Sequence, residues 1–297
     1  MDALTMSKYQ GLGNDYLVID PNRSEIELTK ERIRQICDRN FGAGSDGILY
    51  GPFFEEGKIS VKIYNPDGSE AEKSGNGIRI FGKYLLDKGY LRKSPFLLGT
   101  LGGEVEVEFL NLRGTDIRVN MGKVSFASGQ IPVTGEEREI INDAMMFRER
   151  LYNVTCVSVG NPHCVIMMEK VTKEEVLDLG PYVEQAVQFP ERINMQLCHV
   201  IDRNNLQIEI YERGAGYTLA SGTSACAAAA AAYKIGLTDA AVAVHMPGGT
   251  LEVLVNEDGS VSLTGAVTYI GEIQLAASFF EESADEKISG DDKTAKI

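Results

Sequence analysis

Alternating hydrophobic and polar positions predict two pairs of strands, at corresponding places in the first and second parts of the chain. Residues 104–109 read Glu-Val-Glu-Val-Glu-Phe, and residues 251–255 read Leu-Glu-Val-Leu-Val, each after a Gly-Gly pair. Successive side chains of a strand point to opposite faces, so this pattern predicts strands with one buried face. A second strand is predicted after each, at 116–120 and 260–264, and an Asp-Gly pair before the last of these predicts a tight hairpin.

A helix is predicted in the middle of each part of the chain. Apolar side chains at Ile78, Phe81 and Leu85 have the spacing of one helix face. Residues 225–235 are nearly all small or apolar, which is typical of a buried helix that its neighbours approach closely. Both helices follow a Ser-Gly pair, so the same junction occurs twice in the chain.

These elements belong to an internal repeat with an offset of 147 residues. The offset relates four pairs of identical residues: Asn14 and Asn161, Ile63 and Ile210, Ser74 and Ser221, Gly89 and Gly236. Matches in one order at one offset indicate two related halves. We predict an α+β fold with a first half at 1–125 and a second at 126–265. A strand near 266–276 would return to the first half, and the charged tail at 281–297 is predicted to be disordered.

Composition excludes several classes of protein. The chain has 297 residues, with 29 Lys and Arg against 43 Asp and Glu, so its net charge is −14. This balance disfavours nucleic acid and anionic membranes as partners, because both select a positive surface. No signal peptide or membrane span is predicted. The five cysteines have no metal-type spacing, so we expect buried thiols, no metal site and a cytoplasmic location.

The two Ser-Gly junctions are candidate sites for a carboxylate. Free N–H groups at a helix start attract anions, and each such end contributes roughly 0.3–2 kcal/mol. Two helix starts that face one cleft would hold a small amino acid by its carboxylate. Ser74 and Ser221 would then lie on opposite faces of the α-carbon, a geometry suited to removing a proton on one side and returning one on the other. No cofactor is required.

Structural roles are open alternatives for the same residues. Serine is a favoured N-cap, and Asn14 and Asn161 could simply shape turns. His163 could be a hydrogen-bonded loop histidine, and Glu212 with Arg213 could be a solvated pair at a strand end.

Five short motifs resemble those of the diaminopimelate epimerase family. They read Gly-Leu-Gly-Asn-Asp at 11–15, Asn-Pro-Asp-Gly-Ser-Glu at 65–70, Gly-Asn-Gly-Ile-Arg at 75–79, Gly-Asn-Pro-His at 160–163 and Tyr-Glu-Arg-Gly-Ala-Gly at 211–216. The resemblance extends from about residue 8 to 271. It implies two pseudo-symmetric domains, each a β-sheet wrapped around a central helix. It also implies cofactor-independent interconversion of LL- and meso-diaminopimelate, and a chain that often forms a homodimer.

The resemblance also implies roles for individual residues. Ser74 and Ser221 occupy the catalytic positions, and His163 and Glu212 would assist them. Nine residues would bind the substrate: Asn14, Asn65, Gly75, Asn76, Asn161, Asn194, Arg213, Gly222 and Thr223. Among the polar side chains near the substrate, the Arg213 guanidinium suits a distal carboxylate, and the Glu212 carboxylate suits an ammonium group.

The chain departs from the family pattern at the catalytic positions. The family has cysteines there, whereas this chain has Ser74 and Ser221. A hydroxyl is far less acidic than a thiol and needs a neighbouring base. Three interpretations follow: a natural branch in which His163, Glu212 or water assists the serines, a variant altered to trap substrate, or a binding protein that has lost catalysis. An isomerase or eliminating enzyme acting on a related small acid is a further alternative.

Overall fold

The computed structural model describes residues 4–280, so the predicted tail at 281–297 lies outside the described residues. The elements of the first half are β1 (Leu4–Gly11), β2 (Asn14–Ile19), α1 (Lys30–Cys37), β3 (Ile48–Glu55), β4 (Lys58–Tyr64), β5 (Glu70–Ala71), α2 (Gly75–Asp87), β6 (Phe96–Thr100), β7 (Gly103–Phe109) and β8 (Asp116–Lys123). Those that follow are β9 (Asp143–Phe147), β10 (Arg150–Ser158), β11 (Pro162–Met167), α3 (Lys173–Glu184), β12 (Asn194–Asp202), β13 (Asn205–Glu212), β14 (Gly216–Thr218), α4 (Gly222–Lys234), β15 (Ala241–Met246), β16 (Gly249–Val255), β17 (Ser260–Ala266) and β18 (Thr268–Leu275).

The predicted α+β class is confirmed, and so are the strands and helices on which it was based. The four alternating stretches form β7, β8, β16 and β17. The two central helices, α2 and α4, begin at Gly75 and Gly222, three residues before the helical periodicity starts. Those first residues carry no apolar pattern because the serine cap and the glycines start each helix.

Two further helices, α1 and α3, were not predicted from the sequence. The α1 helix has only eight residues, and α3 contains Pro181 in its interior. Thr29 and Thr172 cap them by accepting hydrogen bonds from the backbone N–H groups of Arg32 and Glu175. A single threonine before an eight-residue segment, or before one that contains a proline, is a weak signal, so tertiary packing decides that these segments are helical.

Each half wraps its strands around its central helix. Hydrogen-bonded neighbours in the first half follow the order β1, β2, β3, β4, β6, β7 and β8. In the second half the order is β10, β11, β12, β13, β15, β16 and β17. The register repeats with the sequence, since Leu17 pairs with Ile48 and Cys164 pairs with Met195. The repeat detected in the sequence is therefore a repeat of the fold.

Antiparallel pairing between β8 and β17 joins the two sheets. It extends from Ser260 opposite Lys123 to Ala266 opposite Asp116. After β17 the chain returns to the first half, where β18 pairs with β1, while β9 takes the corresponding edge beside β10. The halves consequently share a continuous hydrogen-bonded sheet with the two central helices enclosed.

The α2 and α4 helices lie in the largest apolar core. Every residue from Ala225 to Ala232 is at most 1% exposed, which confirms the prediction of a closely packed helix. All five cysteines are free and buried, as expected. Within residues 4–280, no helix is long and apolar enough to cross a membrane.

Candidate active site

The starts of α2 and α4 meet in the middle of the molecule. A Cβ placed on Gly75 would lie 3.5 Å from the Gly222 Cα, and one placed on Gly222 would lie 3.3 Å from the Gly75 Cα. The Leu263 side chain on β17 would lie within 3.1 Å of either added Cβ. Glycine at both positions leaves room for this close approach and for the Leu263 side chain. Both helix N-termini, with their free N–H groups and positive dipole ends, therefore converge on one region.

Ser74 and Ser221 cap these two helices. The Ser74 Oγ accepts a hydrogen bond from the Gly77 N–H at 3.0 Å, and the Ser221 Oγ accepts one from the Ser224 N–H at 3.4 Å. The Thr223 Oγ1 lies 3.4 Å from the Ser221 Oγ. The capping role is thus present in the structure, and it leaves each hydroxyl with its proton and a further lone pair for chemistry.

Tyr16 on β2 is a site residue that sequence reasoning missed. Its hydroxyl lies 3.2 Å from the Ser74 Oγ. Burial raises the pKa of Tyr16 to about 12, opposed by the Ser74 hydrogen bond and reinforced by the charges of Asp46 and Glu212. Tyr16 is therefore a neutral hydroxyl at physiological pH. It occupies the position that His163 has in the second half, at the repeat offset of 147 residues.

Glu212, at the end of β13, lies on the other side of the site. Burial raises the pKa of the Glu212 carboxyl, and the hydroxyl of Ser221 opposes part of this increase. Because its pKa is raised, the carboxylate beside Ser221 accepts a proton more readily than an ordinary glutamate does. The charge of Glu212 also acts on Tyr16 in the first half, so the site spans both halves.

His163 lies fully buried behind Asn161. Its Nε2 is 2.9 Å from the Asn161 Oδ1, and its Nδ1 is 3.3 Å from the Gln196 Oε1. The Gln196 Nε2 in turn donates to the Ser224 Oγ at 3.0 Å. Burial lowers the pKa of His163 to about 3, so the ring is neutral. A neutral ring has one N–H, and donation from Nε2 to the Asn161 Oδ1, the shorter of the two contacts, orients the Asn161 side chain.

Asn194 ties the Pro162 and Arg213 backbones together. Its Nδ2 donates to the Pro162 carbonyl at 2.8 Å, and its Oδ1 accepts from the Arg213 N–H at 2.9 Å. The Arg213 guanidinium is exposed and donates to the Glu191 carbonyl at 3.1 Å. Asn194 thereby holds two segments of the site in place, and the Arg213 side chain stays accessible to an anionic group.

Asn14 and Asn76 form a hydrogen-bonded pair on the first-half side. The Asn76 Nδ2 donates to the Asn14 Oδ1 at 3.1 Å. Asn14 also donates a hydrogen bond to Asp46, and Asn76 accepts one from Arg79. The sequence did not predict a role for either charged residue. Asp46 lies outside every motif, and the motif at 75–79 includes Arg79 but does not indicate what its side chain contacts.

Asn65 makes only a local contact, and the buried Cys226 in α4 is chemically unsuited to catalysis. The Asn65 Nδ2 donates to the Ser69 Oγ within the same turn, at 3.0 Å. Burial raises the pKa of Cys226 to about 12, so this thiol stays protonated and cannot replace the missing catalytic thiolates. Among the residues that the structure describes, no group of His, Cys, Asp and Glu could hold a metal ion.

Comparison with known proteins points to one family. The family model for diaminopimelate epimerase matches residues 6–127 and 155–270. The chain is 47% identical over 274 residues to "Diaminopimelate epimerase 2" of Nostoc sp. strain PCC 7120, covering 92% of this chain and 96% of the relative. It is 39% identical over 263 residues to the diaminopimelate epimerase of Methanothermobacter thermautotrophicus, covering 86% of this chain and 92% of that protein.

Solved structures with the same fold are more distant in sequence. A probable proline racemase from Agrobacterium radiobacter has a TM-score of 0.69 at 14% identity and covers 95% of both chains. A hydroxyproline epimerase from Agrobacterium vitis has a TM-score of 0.67 at 11% identity, covering 93% of this chain and 91% of that chain. At these identities the likeness confirms the two-domain fold expected from the sequence.

Proposed function

This chain belongs to the diaminopimelate epimerase family, and we propose that it interconverts LL- and meso-diaminopimelate by two-sided exchange of the α-proton, without a cofactor. The family makes it an isomerase of the epimerase type. The observation that carries the proposal for the substrate is the meeting of the two serine-capped helix starts at Gly75 and Gly222.

The reacting carboxylate lies between the helix starts in this proposal. Backbone N–H groups of Gly75, Asn76, Gly222 and Thr223 donate to it. Those donors also stabilise the negative charge that develops on the carboxylate as the α-proton leaves, which is where preorganised dipoles contribute most to catalysis. The exposed Arg213 guanidinium is suited to the distal carboxylate, a group that diaminopimelate has and single-centre amino acids lack.

The serines and their partners move the proton. On one face, the α-proton passes to the Ser221 Oγ while the hydroxyl proton of Ser221 passes to the Glu212 carboxylate. On the other face, Ser74 gives its hydroxyl proton to the α-carbon, and the Tyr16 hydroxyl donates to the oxygen left behind. Exchange with solvent then returns a proton to Ser74 and removes one from Glu212. His163 has the role of orienting Asn161, because its ring nitrogens contact amide groups.

The test is α-proton exchange in heavy water, followed by NMR with LL-diaminopimelate and a panel of single-centre amino acids. We expect exchange with inversion for diaminopimelate and little for the others. The single variants Ser74→Ala and Ser221→Ala should each abolish exchange while binding is largely retained. Tight binding without exchange by the unaltered protein would indicate a binding protein. A product of different mass or ultraviolet absorbance would indicate elimination or isomerisation instead.

A further inference from the structure

Arg79 carries a positive charge that is buried without a counter-charge. Its side chain is 0% exposed, and among residues 4–280 no carboxylate forms an ion pair with it. Its Nη1 donates to the Gly75 carbonyl at 3.2 Å and its Nη2 to the Asn76 Oδ1 at 2.6 Å. Its Nε has no hydrogen-bond partner. An unpaired buried charge is costly, so its presence beneath a helix start requires an explanation.

A hydrogen-bonded relay connects Arg79 to the carboxylate of Asp46. From Arg79 the relay passes to the Asn76 Oδ1 at 2.6 Å, from the Asn76 Nδ2 to the Asn14 Oδ1 at 3.1 Å, and from the Asn14 Nδ2 to the Asp46 Oδ2 at 2.9 Å. A guanidinium can only donate, and an ionised carboxylate can only accept. The two ends therefore dictate which way both asparagine amides face.

The fold itself does not require this relay. At the repeat offset of 147 residues, Arg79 corresponds to Cys226 and Asp46 to Ile193. Both of those residues are 0% exposed in the second half, which builds the same strands and helix without the two charges. Arg79 and Asp46 thus occur on one side of the site only. Residues with a purely structural role would be expected on both sides.

The missing counter-charge fits the proposed substrate. Burial lowers the pKa of Arg79 only to about 10, so the guanidinium is charged at neutral pH. In the proposed function, a carboxylate bound at the start of α2 lies beside Asn76, the residue that Arg79 contacts. Charges act strongly on each other in such a buried, low-dielectric region. Substrate binding would then supply the compensation that the protein lacks.

We propose that Arg79 is a positioning residue, which holds Asn76 and Asn14 in one orientation through the relay to Asp46 and keeps a positive charge behind the substrate carboxylate. This inference rests on the proposed function for the identity of the bound carboxylate. The relay, by contrast, rests only on the contacts within the protein.

The main experiment compares Arg79→Met and Arg79→Lys with the unaltered protein. Methionine has a similar shape without the charge, and removing an unpaired buried charge need not destabilise the protein. We expect an unchanged or higher melting temperature for Arg79→Met. Its KM for LL-diaminopimelate should rise at least tenfold in the heavy-water assay, and Arg79→Lys should restore part of the affinity. A purely structural residue would lower the melting temperature and the folded fraction and leave KM unchanged.

The other end of the relay provides a second test that does not disturb the core. In Asp46→Ala the Asn14 amide loses its acceptor, and KM should again rise, whereas Asp46→Asn keeps an acceptor and should be closer to the unaltered protein. Arg39→Gln is the matched control, because Arg39 pairs with Asp46 and Asp15 at 2.6 Å but takes no part in the relay. An unchanged KM in Asp46→Ala would overturn the proposal.

Failure of the proposed function is distinguishable from failure of the relay. If the unaltered protein neither binds nor exchanges diaminopimelate, the substrate assignment fails. The relay is then judged by the NMR signals of the Asn14 and Asn76 side-chain amides. We expect these signals to shift toward free-amide values in both Arg79→Met and Asp46→Ala. Signals that stay in place in both variants would overturn the relay, whatever the substrate is.

Discussion

The residues at equivalent positions of the two halves differ in their chemistry. Tyr16 and His163 are related by the repeat offset, and so are Asn65 and Glu212. Ser74 consequently has a neutral phenol as its neighbour, whereas Ser221 has a carboxylate. A duplicated scaffold thus presents two serines whose partners differ, and the two faces of a substrate would meet unequal proton donors and acceptors.

Restoring cysteine at both serine positions should increase activity strongly. A thiol at a helix start has a lowered pKa, down to ~3.5–7.5, and a serine hydroxyl has no comparable acidity. We expect Ser74→Cys combined with Ser221→Cys to raise kcat for diaminopimelate by about 100-fold or more, the size of a positioned acid–base effect. The measurement is LL-to-meso conversion under saturating substrate. No gain would mean that the surrounding site is not arranged for the reaction.

Loss of the Tyr16 hydroxyl should slow the reaction without weakening binding. Tyr16→Phe keeps the buried ring and removes the hydrogen bond to Ser74, which is worth about 1 kcal/mol or more when charge develops on its partner. We expect kcat to fall roughly 5–30-fold with KM nearly unchanged. Tyr50→Phe is the control, since the Tyr50 hydroxyl contacts the Ile26 carbonyl away from the site. Equal effects of the two substitutions would argue against a role for Tyr16.

The acid side of the pH profile should report Glu212. Burial raises the pKa of this carboxyl above that of an ordinary glutamate, and only its ionised form accepts a proton. Activity should therefore rise with increasing pH as Glu212 loses its proton, at a pH above the usual glutamate range near 4.3. Glu212→Gln should be slow and lack this limb. Glu209→Gln is the control, since burial also raises the pKa of Glu209, whose carboxylate bonds Tyr217.

At the scale of elements, the contact of α2 with α4 depends on two glycines. Gly75→Ala would add a Cβ 3.1 Å from the Leu263 Cδ2 and 3.5 Å from the Gly222 Cα. The Leu263 side chain must move to admit the added methyl group, and overpacking of this kind typically costs 1–3 kcal/mol. We expect a lower melting temperature and a several-fold higher KM. Gly271→Ala in β18, where an added Cβ meets nothing within 4 Å, should change neither.

The sequence predicts elements well where pattern and capping agree. The strands β7 and β16 alternate cleanly, and α2 and α4 follow a repeated Ser-Gly signal. Prediction fails for α1, which has only eight residues, and for α3, which contains Pro181, because both take most of their stability from packing that a local pattern does not encode. Pairing of β18 with β1 is likewise a long-range contact, and only a returning strand near 266–276 could be suggested from the chain.

At the scale of the whole molecule, the site exists only because two distant segments converge. Ser74 and Ser221 could be identified from the repeat, since both stand at the same junction. The roles of Tyr16, Asp46 and Arg79 could not be identified. Tyr16 and Asp46 lie in no motif, and the motif at 75–79 does not indicate what the Arg79 side chain contacts. Their roles follow from contacts with Ser74, Asn14 and Asn76 across the fold, and such contacts are determined by topology.

Leu263 connects the pairing of β8 with β17, which joins the two halves, to the site. It lies on β17 opposite Val119 of β8 and is 0% exposed, and its Cδ2 approaches both Gly75 and Gly222. Leu263→Ala should lower the free energy of unfolding by about 2–5 kcal/mol through the cavity it leaves. Because the same cavity loosens both helix starts, KM should rise as well.

The two effects of Leu263→Ala are measured separately, by urea unfolding and by the exchange assay at a temperature where the variant stays folded. Leu112→Ala is the control, since that leucine is 101% exposed and should alter neither quantity. If Leu263→Ala destabilises the protein yet leaves KM unchanged, the helix starts are held by their own halves. The joint between the sheets would then contribute to stability alone, and the convergence of the two serines would not depend on it.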